Sequence, residues 1–311
     1  MAQFAVLFPG QGSQFVGMGG ELFEARPDLL GGHADEVLGW SLRQLCLESS
    51  EERLTRTEYA QPALFAVAYA LWCELSVGQA PAAAAGHSLG EYTALVAAGA
   101  IDYLDALRVV AERGRAMASA SDLEPSGMAA VLGADLETVE AVVAERRRDG
   151  GRLWVANINA PGQIVVAGGA EDLEWLAENR RGIRRVVPLK VAGAFHSPFM
   201  TPAVTSLEEA LAPVGVSAPD FDVYANVDAE PFTVDRVKTL LVRQITSPVR
   251  FSDTIAAMQA DGVSTFVHVG PGDVTAGMAR RAAPDAEVLV VSEIADIEAI
   301  SKSFPSIDGG E

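Results

Sequence analysis

The sequence predicts an α/β fold in which a parallel sheet carries an inserted α+β unit, and three observations lead there. Residues 4–8, Phe-Ala-Val-Leu-Phe, are a continuous apolar run closed by a glycine-rich turn, as in a parallel strand buried on both faces. Gly86-His87-Ser88-Leu89-Gly90-Glu91 has the Gly-x-Ser-x-Gly spacing of a nucleophile elbow, where a strand bends sharply into a helix and holds a serine at the bend. Residues 127–190 read as strand, helix, strand, strand, helix, strand, which is the ferredoxin-like order.

Composition sets the outer bounds. With 311 residues, 49% of them hydrophobic and 21% charged, the chain can bury a sizeable core in one large or two modest domains. No apolar run reaches the roughly 20 residues that span a bilayer. The start, Met1 to Gly10, lacks a basic region and reads as a first strand, not a leader. Cys46 and Cys73 lie far apart without metal-ligand spacing, which suits structural thiols in a reducing compartment. The expected location is therefore cytoplasmic, with no membrane partner. A net charge of −19 argues against nucleic acid as a partner.

The elements follow in order. Pro9-Gly10-Gln11-Gly12-Ser13-Gln14 ends the first strand. It lacks the glycine order of a dinucleotide loop and the lysine of a P-loop, so its expected use is to offer backbone N–H groups at the carboxyl ends of the strands. Residues 20–77 are mostly helical in pattern. Apolar residues at 64, 65, 67, 68, 71, 72 and 75 give a helical period over Thr57 to Leu75, with Pro62 near the helix start. Pro81 and Ala82 to Ala85 make the elbow strand, and the elbow helix stops at Gly99. Asp102 opens the next helix, whose apolar stripe also holds Arg108, Arg113 and Arg115; by position alone each reads as a solvated side chain.

Within the insert, Gly127–Leu132, Arg152–Asn159, Gln163–Ala167 and Arg184–Val191 read as strands, and Leu136–Arg148 (capped by Asp135) and Glu171–Asn179 as helices. The insert balances nine basic against nine acidic residues, so the whole negative excess lies outside it. The chain then returns through Gly193-Ala-Phe-His-Ser-Pro198, a helix near 200–212, a strand at Phe221–Asn226 and a helix around 234–245. A strand over Ser264–Val269, a helix over 273–282 and a last strand at Glu287–Val291 follow, and residues 303–311 read as a tail. The expected division is 1–126 with 191–302 as the large domain and 127–190 as the small one.

A serine nucleophile needs a base, and the chain has four histidines. His33 lies in a polar segment. His87 adjoins Ser88 on a sharp bend, where neighbouring side chains point apart, and is expected to support the elbow. His268 falls within a strand pattern and reads as a core histidine. His196 sits in a loop after the last strand of the insert and is the expected base.

Five motifs in this order resemble the malonyl-CoA:acyl carrier protein transacylases: Gly10-Gln-Gly-Ser-Gln14, Gly86-His-Ser-Leu-Gly-Glu91, Phe195-His-Ser197, Gln244-x-Thr-Ser-Pro248 and Val269-Gly-Pro-Gly272. Asn157-Ile-Asn159-Ala-Pro-Gly-Gln163 adds to them, and the likeness runs from about residue 4 to 292. The resemblance implies an α/β-hydrolase-like large domain with a ferredoxin-like small one, the site lying between them. It implies Ser88 as nucleophile, His196 as base and the backbone N–H groups of Gln11 and Leu89 as oxyanion hole. It places Arg113 against the malonyl carboxylate and Gln244 beside the dyad, where an oxygen near that glutamine orients the histidine in place of a triad aspartate. Phe195, in the Ala-Phe-His-Ser form of malonyl-selective polyketide acyltransferases, would crowd an α-methyl group.

The implied substrate is malonyl-CoA, a coenzyme A thioester, with no cofactor and no metal; the implied partner is an acyl carrier protein. Such carriers are acidic, so the basic residues of the insert, Arg148, Arg181 and above all Arg185, are candidate docking contacts. The pathway stays open between fatty acid synthesis and a stand-alone acyltransferase serving a polyketide assembly line. Other readings are a relative moving a different acyl group, a serine esterase using Asp261 and His268, and a non-catalytic carrier-binding module. Arg113 opposes a neutral acyl chain, and the esterase pair lies only seven residues apart in sequence.

Overall fold

A computed structural model describes residues 3–75 and 80–301. The first strand, β1 (Gln3–Phe8), is buried from Phe4 onward, as its unbroken apolar run requires. Short helices follow: α1 (Leu22–Ala25), α2 (Pro27–Leu30), α3 (Gly32–Leu38), α4 (Leu42–Glu48) and α5 (Glu51–Thr55). The long α6 (Thr57–Glu74) leads to β2 (Ala83–Gly86), α7 (Gly90–Ala97) and α8 (Tyr103–Ser121), the last capped by the Asp102 carboxylate on the N–H groups of Leu104 and Asp105.

Pro62, expected near the start of α6, lies inside it, five residues past Thr57. Its ring removes one helical N–H. The helix continues because nearly every residue from Ala60 to Leu71 is buried, so tertiary packing outweighs the missing bond.

The insert comprises β3 (Ser126–Leu132), α9 (Leu136–Arg148), β4 (Leu153–Ala160), β5 (Gln163–Gly169), α10 (Ala170–Glu178) and β6 (Arg185–Pro188). Its antiparallel sheet runs β4-β5-β3-β6, the ferredoxin-like topology expected. Side chains alternate across this sheet. Ala129, Val131, Ile164 and Val166 pack under α9 and α10 in a core of their own. Met128, Val165 and Ala167 belong instead to the main core of the chain.

Beyond the insert come a 3₁₀ turn (Pro198–Ala203), α11 (Val204–Leu211), β7 (Asp222–Tyr224), α12 (Val237–Gln244), α13 (Phe251–Ala260), β8 (Val263–Val269), α14 (Val274–Ala282), β9 (Glu287–Val291) and α15 (Ile294–Ser301). The five parallel strands run β7-β2-β1-β8-β9, so the elbow strand β2 lies beside the central β1, with Phe8 level with Gly86. The fold is thus an α/β-hydrolase-like parallel sheet carrying a ferredoxin-like unit. Val249 joins the two sheets: its N–H donates to Ala156 and its carbonyl accepts from Ile158, both on β4. The expected tail falls outside the described residues. Among the described residues no helix is long and apolar enough to cross a membrane.

Candidate active site

Ser88 stands between β2 and α7 with φ 51°, a left-handed conformation that non-glycine residues rarely hold. The bend is possible because a Cβ on Gly86 would overlap the Gly90 carbonyl carbon. Asn226, just beyond β7, braces both sides of it. Its Oδ1 accepts from the Ser88 N–H at 2.8 Å, and its Nδ2 donates to the Gly86 carbonyl at 2.7 Å. His87 turns away: its Nε2 lies 2.8 Å from Asn159 Oδ1 and its ring meets Phe251 edge-on.

His196 also has a positive φ, 58°, and its Nε2 lies 2.7 Å from Ser88 Oγ. Its Nδ1 lies 2.9 Å from the Gln244 carbonyl oxygen. A carbonyl only accepts, so Nδ1 carries the proton and the Nε2 lone pair faces the serine hydroxyl. Burial, then the positive charge of Arg113, pushes the His196 pKa down to about 3. The imidazole is therefore neutral and able to take a proton from Ser88.

The other histidines are placed elsewhere. His268 is a buried strand residue tied to the Thr275 hydroxyl and, at 3.0 Å, to the Gly270 carbonyl. His33 is exposed on α3. Asp261 accepts from the Tyr224 hydroxyl, so Asp261 and His268 form no acid–base pair with the serine.

Arg113 corrects the expectation from position alone. Arg108 and Arg115 reach solvent and pair with Asp105 and Glu112, whereas Arg113 is only 1% exposed. On α8 it points inward, with its guanidinium carbon 5.5 Å from the centre of the Tyr92 ring. Nη1 donates to Gln61 Oε1 at 2.5 Å, and Nη2 donates to Gln244 Oε1 at 2.8 Å and Ser88 Oγ at 3.0 Å. Each of these acceptors is neutral. Among the described residues no carboxylate forms an ion pair with this guanidinium. Burial lowers its pKa, while Tyr92 and Glu91 act the other way.

Gln244, wholly buried at the end of α12, ties these parts together. Besides the Arg113 bond, its Nε2 donates to the Ser88 carbonyl at 2.8 Å and to Glu91 Oε2. Glu91 is itself wholly buried in the first turn of α7. Burial pushes its carboxyl up to about 8, against hydrogen bonds from Asn226 and Gln244 and the charge of Arg113.

A cavity of about 330 Å³ opens over the serine, and Gln11, Leu89, Arg113, Phe195 and His196 are among its walls. Met128, Ala130, Val165 and Lys190 of the insert close its other side. The N–H groups of Gln11 and Leu89 have no hydrogen-bond partner among the described residues. The Gln11 loop presses on the elbow, since a Cβ on Gly10 would overlap the His87 carbonyl oxygen. The Gln11 side chain is held by Thr57 at 3.2 Å.

The three candidate docking arginines are all exposed but differ in place. Arg185 sits opposite Leu132 on the sheet face that carries Ala130 and Met128 to the cavity. Arg148 and Arg181 lie on the helix side of that sheet beside Glu145, with which Arg181 pairs. The Arg148 Nε donates to the Ala144 carbonyl near the end of α9, as cations at helix ends do.

Sequence reasoning missed Gln61, Glu91 and Asn226. Two of them left a signal. Gln61 is a polar residue within the apolar period of α6, and Glu91 directly follows the second elbow glycine. Asn226 left none, because it reaches the elbow from 138 residues away.

A parallel sheet with a strained serine at the end of a near-central strand, a neutral histidine on its hydroxyl and free N–H groups beside it is an arrangement for nucleophilic acyl transfer. The chain belongs to the acyl transferase domain family, whose model matches residues 5–300. It is 41% identical over 304 residues to the malonyl CoA-acyl carrier protein transacylase of Bacillus subtilis, covering 96% of each chain. It is 43% identical over 291 residues to the polyketide biosynthesis protein ThaF of Burkholderia thailandensis, covering 91% of this chain and 24% of that protein. An acyl carrier protein S-malonyltransferase from Vibrio cholerae superposes with a TM-score of 0.90 at 36% identity, over 96% of this chain and all of that one. A malonyl-transacylase solved in complex with a type II polyketide acyl-carrier protein superposes with a TM-score of 0.92 at 34% identity, over 97% of this chain and 100% of that one.

Proposed function

We infer that the chain is a malonyl-CoA:acyl carrier protein transacylase, and one observation carries the choice of substrate. Among the described residues Arg113 is a buried cation without a carboxylate partner, one hydrogen bond from the nucleophile. Buried charges are ordinarily paired. A malonyl thioester supplies the missing anion, because its carboxylate stands one methylene from the carbonyl that the serine attacks. A guanidinium can grip that carboxylate through two parallel bonds.

The geometry supports a two-step, ping-pong reaction. His196 Nε2 takes the Ser88 proton as Oγ adds to the thioester carbonyl. The oxyanion turns to the N–H groups of Gln11 and Leu89, within reach of a helix N-terminus. Collapse expels coenzyme A, whose sulfur takes the proton from His196, and leaves malonyl on Ser88. The phosphopantetheine thiol of the carrier then gives its proton to His196 and attacks the ester, returning the serine. These groups suffice for acyl transfer, so we propose that the thioester is used as substrate with no separate cofactor.

Phe195, in the cavity wall, is assigned to exclusion of an α-methyl substituent. Arg185 is assigned to carrier docking, as the docking arginine on the cavity side of the small sheet; Arg148 and Arg181 are secondary. The separate core under α9 and α10 supports division into 1–126 with 191–302 and 127–190. A cytoplasmic location accords with the unpaired cysteines and with acidic carrier partners. A stand-alone polyketide acyltransferase is the second reading, favoured by Ala194-Phe195-His196-Ser197 and by the likeness to ThaF. The test is transfer itself: with malonyl-CoA and a carrier bearing phosphopantetheine, the carrier gains one malonyl group, and a carrier without the arm gains none. Hydrolysis to free malonate with no carrier dependence would mark an esterase instead.

A further inference from the structure

We propose that Glu91 is a positioning residue that fixes the Gln244 amide and, through it, the guanidinium of Arg113 in the orientation that receives a carboxylated acyl group. This rests on the malonyl reading above. Both Glu91 oxygens accept hydrogen bonds: Oε1 from the Asn226 N–H at 2.6 Å, Oε2 from Gln244 Nε2. With Nε2 drawn to Glu91 and to the Ser88 carbonyl, Gln244 must turn Oε1 the other way, and that oxygen accepts from Arg113 Nη2 at 2.8 Å. An amide has one donor end and one acceptor end, so the acid on one side determines what the cation meets on the other.

The arrangement places one neutral amide between a buried acid and a buried cation. Direct contact would let Glu91 occupy the guanidinium and compete with the substrate carboxylate. The interposed amide orients Arg113 and leaves its charge open. Gln61 does the same from the opposite side, with a carbonyl oxygen on Nη1. Asn226 carries the acid's second effect to the elbow, since its side chain holds both the Ser88 N–H and the Gly86 carbonyl.

Glu91→Gln tests this with almost no change of volume. The new amide puts an N–H where one of two donors now points. The Asn226 donor is backbone and fixed, whereas the Gln244 amide can rotate, so Gln244 flips and presents N–H to Arg113. Acyl-enzyme formation with malonyl-CoA and with acetyl-CoA is followed for wild type and variant. The malonyl-to-acetyl ratio of kcat/KM is expected to fall by about tenfold or more, the effect of losing one hydrogen bond to a charged group, with the loss in KM for malonyl-CoA. Glu91→Asp, which keeps a carboxyl group but withdraws it from Gln244, is expected to shift the ratio the same way. An unchanged ratio, equal loss for both thioesters, or failure of both variants to fold would make Glu91 purely structural and overturn the proposal. Wild type that takes no malonyl group would refute the functional reading itself, which separates the two failures.

Discussion

The imidazole of His196 is held by the backbone of Gln244, not by a carboxylate: Nδ1 donates to the Gln244 carbonyl oxygen at 2.9 Å. A carbonyl fixes the tautomer as an aspartate would, but it brings no charge to stabilise an imidazolium. The nearby positive charge of Arg113 disfavours the imidazolium further. The imidazole is thus kept neutral by its surroundings.

The pH profile of acylation follows from this. An ordinary histidine is protonated as pH falls through about 6.5 and stops acting as a base. With the His196 pKa lowered to about 3, the neutral form persists across the mildly acidic range. The single-turnover rate of Ser88 acylation between pH 5 and 7 is therefore expected to show no inflection near 6.5. A tenfold fall per pH unit below 6.5 would show the histidine to be unshifted.

The elbow tolerates no side chain at its first glycine. A Cβ on Gly86 would overlap backbone atoms of Gly90 and Glu91, which cannot swing aside as a flexible side chain does. Gly86→Ala is expected to destabilise the protein by about 3 kcal/mol or to prevent folding. Denaturant unfolding measures it, and a loss below about 0.5 kcal/mol would mean that the strand and helix pass less closely than described.

How far the sequence led can be judged element by element. The elbow and the ferredoxin-like insert were legible because glycine spacing and hydrophobic period are local properties; Leu136–Arg148 matches its expected span at both ends. Pro62 misled because propensity competed with burial and lost. Helix α13 went unread, as Phe251–Ala260 mixes polar and small residues after Pro248. Position on α8 did not separate Arg113 from Arg108 and Arg115. Only the facing α6 and α12, which supply Gln61 and Gln244, make one arginine a buried cation and leave the others in solvent.

Arg113→Ala should therefore change which acyl group is accepted. Removing the guanidinium is expected to reduce kcat/KM for malonyl-CoA by about 2–5 kcal/mol, roughly 30-fold or more, while acetyl transfer is retained or rises. Parallel kinetics with the two thioesters decide it. Equal loss for both would assign Arg113 to holding the fold.

Docking of the carrier should depend on the cavity side of the small sheet. Arg185→Glu is expected to raise KM for an acidic carrier protein by about tenfold at low ionic strength, the effect fading as salt screens it, with acylation by malonyl-CoA nearly unchanged. Arg148→Glu, on the helix side, should have a smaller effect. Carrier kinetics indifferent to Arg185 and to salt would place docking elsewhere.

The central claim is a malonyl ester on Ser88. Intact-mass analysis after mixing with malonyl-CoA, followed by peptide mapping, tests it most directly. The account predicts one added malonyl group, located on the peptide containing Ser88 and absent from Ser88→Ala. A malonyl group on another residue, or one still acquired by Ser88→Ala, would contradict it.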